Sequence, residues 1–101
     1  MVNAKISLKI RRSYKIETYP RGDIANASFL GQSDNKYIFS IDANPKGLDG
    51  FLLVDRHWMC MSEQGAVTLS SFSSATITHV PRDPKKMAPY LVKQLQEVRA
   101  L

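Results

Sequence analysis

Cationic side chains and tyrosines are concentrated in one short stretch near the N-terminus. Arginine and lysine bind phosphate groups, and an exposed aromatic ring beside them can stack on a nucleic-acid base. The alternative is that a tyrosine ring fills the core and only its hydroxyl reaches water. We take as candidate ligand-binding residues Lys9, Arg11, Arg12, Tyr14, Lys15 and Arg21.

The charge of +5 is distributed unevenly along the chain. Six cations and two carboxylates give residues 1–23 a sum of +4, whereas residues 24–81 sum to −2 and residues 82–101 to +3. If the first strand and the last helix lie together, they form one basic face. That face would suit nucleic acid, a phosphate-bearing ligand or an acidic protein surface. The alternative is a solvated surface that only serves solubility.

Asp55, His57 and Cys60 form the one cluster that resembles a catalytic set. On a straight strand Asp55 and His57 share a face while Cys60 points to the other, so the spacing argues against a triad. A structural zinc site needs about four ligands, and with His79 the chain offers two histidines and one cysteine. The sequence therefore predicts no catalytic residues, no metal and no cofactor, and a protein that is not an enzyme.

A two-part pattern joins the basic stretch to the segment that follows it. The residues are Arg11-Arg12-Ser13-Tyr14-Lys15 and Asn26-Ala27-Ser28-Phe29-Leu30-Gly31. Together they resemble the R-x-x-x-R and (D/N)-x-S-x-x-G signature of PilZ domains, with Lys15 standing where the signature has its second arginine. The resemblance spans residues 11–31 and implies a small barrel with a C-terminal helix that binds a cyclic dinucleotide. It is a minor alternative to the functions considered below.

The elements that position these residues are mostly strands. Residues 2–10 alternate with period two, which predicts a half-buried strand. We expect its apolar set to be buried and its cations exposed; the two sets are Val2, Ala4, Ile6, Leu8 and Ile10, and Lys5, Lys9 and Arg11. Residues 13–19 form a second strand with Tyr14, Ile16 and Thr18 on one side, and residues 20–23 form a turn.

Further strands and one helix follow. Residues 24–31 and 36–43 predict a hairpin with Tyr37, Phe39, Ile41 and Ala43 inward and a turn at 33–35. Residues 51–54 predict a strand that is buried on both sides or that crosses from one face to another, and strands are also expected at 58–61, starting at Val67 and Leu69, and at 75–80.

The C-terminal segment changes to helical spacing, with apolar residues Met87, Leu91, Leu95 and Val98. A proline inside a helix costs about 3 kcal/mol. We therefore expect a turn or short 3₁₀ segment at 83–87 and a main helix that starts near Ala88, with Pro89 in its first turn.

These elements predict one domain over residues 1–101 of the α+β class, mainly β. Its architecture would be a small curved antiparallel sheet, or a partly open barrel, of about six short strands with one C-terminal amphipathic helix. The single cysteine and the lack of an apolar run as long as a membrane helix predict a cytoplasmic protein with no membrane partner.

The expected function is a non-catalytic binding module with a basic face for nucleic acid or phosphate-bearing ligands. The alternative is a small protein-binding inhibitor or adaptor from a mobile element or a phage–host or toxin–antitoxin system. Salt distinguishes the two, because phosphate binding weakens steeply with salt and an interface with an apolar centre does not.

Overall fold

The computed structural model describes residues 8–18, 22–42, 47, 49–55, 59–61, 67–69 and 77–101. Within these residues, seven strands form one sheet: β1 Ser13–Thr18, β2 Gly22–Ser33, β3 Lys36–Ile41, β4 Phe51–Asp55, β5 Met59–Met61, β6 Val67–Leu69 and β7 Ile77–Val80. A 3₁₀ turn at Pro84–Lys86 leads into helix α1, Pro89–Glu97.

The strands are ordered β5-β6-β1-β2-β3-β4-β7 in an open sheet. The run β1-β2-β3-β4-β7 is antiparallel throughout. β6 lies parallel to β1, and β5 pairs antiparallel with β6. The predicted class, a mainly β α+β fold with a small curved sheet and one C-terminal helix, is confirmed.

Hydrophobic cores lie on both faces of the sheet. The first contains Tyr14, Ile16, Ala27, Phe29, Phe39, Ile41, Leu52 and Val54. The second lies beneath the helix and contains Ile38, Phe51, Leu53, Val80 and Leu95. Because neighbouring side chains of a strand point to opposite faces, β4 contributes two residues to each core. The prediction that this strand is buried on both sides is confirmed.

The C-terminal segment follows its predicted course. Asp83 caps the 3₁₀ turn, its side chain accepting a hydrogen bond from the Lys85 backbone N–H at 3.0 Å. Pro89 is the first residue of α1, where its missing N–H costs no helical hydrogen bond. Leu95 is fully buried, and Leu91 and Val98 pack beside it against the second core, as expected.

The predicted N-terminal strand does not extend to its expected end. Leu8 packs against the first core, but Ile10 and Arg11 form a turn and Ile10 is 65% exposed. The prediction of an inward Ile10 is therefore wrong. The reason is that Arg11 has a left-handed backbone with φ 71° and donates its N–H to the Phe29 carbonyl at 2.7 Å, which redirects the chain into β1. Lys9 and Arg11 are exposed as predicted, and residues 2–7 lie outside the described part of the chain.

The turn predicted at 20–23 also needs correction. Gly22 and Asp23 belong to β2, where they pair with Thr18 and Glu17, so the strand begins earlier than expected. The next hairpin turns at residues 34 and 35, and Asp34 there has φ 55°. Its predicted inward side chains at 37, 39 and 41 all contact the first core, while Ala43 is outside the described residues.

A bulge in β2 brings the end of the helix close to the sheet. The register with β3 shifts between Phe29 and Gly31. Gly31 has φ 149°, and a Cβ there would lie 3.0 Å from Cγ1 of Val98. Only glycine allows this close approach without displacing Val98, and the approach forms one wall of the site described next.

Candidate functional site

An open groove of about 670 Å³ lies between the end of α1 and the helix-covered face of the sheet. This volume is within the range of roughly 300–1,000 Å³ that small-molecule sites occupy. We call it the arginine groove, after the three arginines among its lining residues: Ile10, Arg11, Leu30, Gly31, Gln32, Ser40, Phe51, Arg82, Glu97, Val98, Arg99 and Ala100.

The three arginines come from separate parts of the fold. Arg11 lies in the turn before β1, Arg82 follows β7, and Arg99 follows the end of α1. All three are exposed residues, and they meet only because the helix end docks over β2 beside the N-terminal turn. The groove is therefore a tertiary arrangement of cations.

Arg82 is fixed in place by its neighbours. Its Nε forms an ion pair with Asp49, and its Nη2 donates to Oγ of Ser40 at 2.9 Å and to the Ile41 carbonyl at 3.0 Å. The guanidinium also lies 5.0 Å from the centre of the Phe51 ring. These contacts leave the N–H groups of Nη1 without a partner among the described residues, so the held guanidinium keeps donors that a ligand could use.

Asp49 is the counter-charge that holds Arg82. The hydrogen bond from Arg82 lowers the pKa of Asp49 below its ordinary value of 3.8, and the backbone N–H of Gly50 and the charges of Arg82 and His79 act in the same direction. Desolvation, which is the second-largest influence on this pKa, opposes them. Asp49 is therefore ionised throughout the neutral range, and its pairing with Arg82 persists there.

Arg11 and Arg99 have left-handed backbones, with φ 71° and 59°. Residue 99 ends the helix in a Schellman motif: its N–H donates to the Gln96 carbonyl at 3.0 Å and the Ala100 N–H to the Leu95 carbonyl at 2.8 Å. Glycine usually occupies this position because other residues pay about 1–2 kcal/mol there. Within the described residues, neither arginine's guanidinium forms an ion pair.

One carboxylate, that of Glu97, also lines the groove. Its Oε2 accepts a long hydrogen bond of 3.4 Å from Oγ of Ser33, a residue that is only 4% exposed. The groove is therefore lined by three arginines and one glutamate, together with the apolar residues Leu30, Phe51 and Val98.

The candidate ligand-binding residues of the basic stretch do not all lie in the groove. Arg11 lines the groove, whereas Lys9 and Arg12 are exposed in the same turn, joined by a 3.1 Å backbone hydrogen bond, and do not line it. Lys15 is exposed on β1 and pairs with Glu17 at 3.5 Å. Arg21 lies outside the described residues.

Tyr14 does not offer a ring for stacking. It is 6% exposed in the first core, and its hydroxyl accepts a hydrogen bond from the Lys9 backbone N–H at 2.9 Å. The alternation of β1 explains this, because it places Tyr14 on the same face as Ile16. Tyr14 therefore follows the alternative in which the ring fills the core, and its hydroxyl anchors the turn that carries Arg11.

The other sequence patterns are only partly brought into the groove. Of the PilZ-like pattern, Arg11 and Gly31 line it, but the hydroxyls of Ser13 and Ser28 both donate to the carboxylate of Asp42, the second at 2.8 Å. His57 is outside the described residues, so the cluster with Asp55 and Cys60 is not tested. The described residues contain no group of three or more His, Cys, Asp or Glu that could hold a metal ion.

Sequence reasoning missed Arg82, Arg99 and Glu97 as site residues. Its one signal was the +3 charge of residues 82–101 and the expectation that this segment would meet the N-terminal one. The left-handed turns and the glycine at position 31 determine which cations come together. No periodic pattern in the sequence predicts these features.

Comparison with known proteins finds no matching family model, no similar curated protein and no similar solved structure. In the described part of the chain, no helix has the length and hydrophobicity needed to cross a membrane.

Proposed function

We propose that this chain is a non-catalytic binding module whose arginine groove takes nucleic acid or another phosphate-bearing ligand. The observation that carries the proposal is the convergence of Arg11, Arg82 and Arg99 from three separate elements on one groove. Guanidinium groups bind phosphate oxygens in pairs of parallel hydrogen bonds, and three of them around one concave surface suit an anion with several oxygens.

The way the cations are held supports a binding role. Arg82 is fixed by Asp49, Ser40 and the Phe51 ring, so little of its conformational entropy remains to be lost on binding. Arg11 and Arg99 occupy backbone conformations that favour glycine. Such strain is concentrated at functional sites in proteins, which supports selection for the guanidinium groups themselves.

The proposed ligand class includes several members. A single-stranded nucleic acid and a free nucleotide both present phosphates at the scale of this groove, and the cyclic dinucleotide implied by the PilZ-like pattern is another member. The single cysteine of the chain supports a reducing location, and we propose the cytoplasm.

A protein-binding inhibitor or adaptor is the second candidate. Three large apolar side chains favour it: Ile10 and Tyr90 are each 65% exposed and Leu101 is 42% exposed. An exposed tyrosine or isoleucine can anchor a protein interface.

The proposal is tested by titrating a fluorescently labelled single-stranded oligonucleotide at low salt, with unlabelled duplex and mononucleotide as competitors. We expect the double variant Arg11→Ala/Arg99→Ala to bind at least tenfold more weakly, about 1.4 kcal/mol. The matched control is Lys85→Ala/Lys86→Ala, which removes two exposed cations outside the groove and should bind nearly as well as the unmodified chain.

If both double variants lose the same amount of affinity, the loss reflects the net charge of the protein, and a binding site in the groove is contradicted. If no phosphate ligand binds at low salt while a protein partner binds at high salt, the second candidate replaces the first.

A further inference from the structure

We propose that the occupant of the groove is a nucleotide, free or in a single strand, whose base presents N–H donors to the carboxylate of Glu97. This inference rests on the proposed function and assigns Glu97 as the residue that determines specificity. One glutamate, Glu97, lies among the residues that line the groove together with the three arginines.

Glu97 is not used to neutralise those arginines. Within the described residues the ion pairs are Arg82 with Asp49 and Lys15 with Glu17, and neither includes Glu97. Its one described hydrogen bond is the long contact from Ser33 to Oε2. Oε1 therefore has no donor among the described residues and is available to a ligand.

A carboxylate in this position selects against a ligand made only of phosphates, because like charges repel. It favours a ligand that carries N–H donors beside its phosphate, since an ionised carboxylate only accepts hydrogen bonds. The bases of cytidine, adenosine and guanosine nucleotides carry an exocyclic amino group, and glutamate accepts hydrogen bonds from that of cytosine in nucleic-acid complexes.

The size of the groove and the chemistry of a duplex further limit which nucleotides could bind. A volume of about 670 Å³ accommodates a compact ligand. In a duplex only one N–H of each such amino group stays free, and it lies inside a groove of the duplex, whereas single strands and free nucleotides expose both N–H groups and can enter a concave site. The arginines would then hold the phosphate while Glu97 reads the base.

The test is an NMR titration of the full chain with two probes, cytidine 5′-monophosphate and ribose 5-phosphate, which lacks a base. In the unmodified protein we expect the cytidine nucleotide to bind at least tenfold more tightly. Glu97→Gln keeps the size of the side chain and removes its charge. We expect this variant to bind the cytidine nucleotide at least fivefold more weakly and to bind ribose 5-phosphate with unchanged or higher affinity.

Glu17→Gln is the matched control, because Glu17 is a carboxylate beside a cation outside the groove, and it should change neither affinity. If Glu97→Gln tightens both probes alike, Glu97 is only a repelling charge: the inference is overturned and the proposed function stands. If the oligonucleotide binds but the unmodified protein does not prefer the cytidine nucleotide, the inference is also overturned. Failure of the oligonucleotide and of both probes would overturn the proposed function itself.

Discussion

At the scale of single residues, Arg11 and Arg99 have left-handed backbones, so we expect their substitution to change both the stability of the fold and the binding of a ligand. Relief of the strain at residue 99 should gain about 1–2 kcal/mol, of which greater freedom of the unfolded chain takes back about 0.4–1 kcal/mol. We therefore expect Arg99→Gly to raise the free energy of unfolding by up to about 1.6 kcal/mol while weakening binding of a phosphate ligand. Urea unfolding and a ligand titration measure the two effects.

Lys93→Gly is the control for this prediction. It also replaces an exposed cation with glycine, but inside α1, where glycine costs about 1 kcal/mol. The two variants should move stability in opposite directions. A loss of stability in Arg99→Gly as large as that in Lys93→Gly would show that the backbone at residue 99 is not strained.

Asp49 provides a pH-dependent prediction. Because Arg82 lowers its pKa, Asp49 should titrate below 3.8, and Arg82→Ala should return its pKa toward that ordinary value. A carboxylate with a lowered pKa contributes stability that is present above the ordinary pKa and is lost as the pH falls through the folded-state pKa. The ¹³C shift of the Asp49 carboxyl carbon, followed with pH in both proteins, measures this; identical titrations would contradict the pairing.

Arg11 and Arg12 are adjacent exposed cations, and only Arg11 lines the groove. We expect Arg11→Ala to weaken binding of the labelled oligonucleotide more than Arg12→Ala at the same salt concentration. Equal losses would favour the whole basic stretch, as the sequence alone suggested, over the groove.

At the scale of elements, α1 is held by one fully buried side chain. Leu95 is 0% exposed in the second core, so Leu95→Ala should lower the free energy of unfolding by about 2–5 kcal/mol. Tyr90→Ala on the same helix removes a side chain that is 65% exposed, and should change it by less than about 0.5 kcal/mol. Equal effects in thermal or urea unfolding would mean that the helix does not pack as described.

Periodicity in the sequence was sufficient to predict most elements of the fold. The alternation in β1 and β3, the apolar run of β4 and the helical spacing of α1 each report a local burial pattern. Periodicity failed at Ile10, because the left-handed Arg11 and its hydrogen bond to β2 end the alternating pattern in a turn. The parallel pairing of β6 with β1 has no local signal either, since it joins segments far apart in the chain.

The candidate site was less predictable than the fold. The sequence identified Arg11 but grouped it with Tyr14, whose ring is buried. It gave the charge of the C-terminal segment but not the position of Arg82 or Arg99. These residues meet through tertiary packing of the helix end against Gly31, which only the folded chain shows.

At the scale of the whole molecule, we propose that two groove arginines from opposite ends of the chain contact the same phosphate ligand. The most direct test is the salt dependence of binding to a labelled single-stranded oligonucleotide. Each phosphate contact contributes about 0.7 to the slope of log K against log salt for single strands, so Arg11→Ala/Arg99→Ala should reduce the slope by about 1.4. An unchanged slope, or an equal reduction in the control Lys85→Ala/Lys86→Ala, would contradict the account.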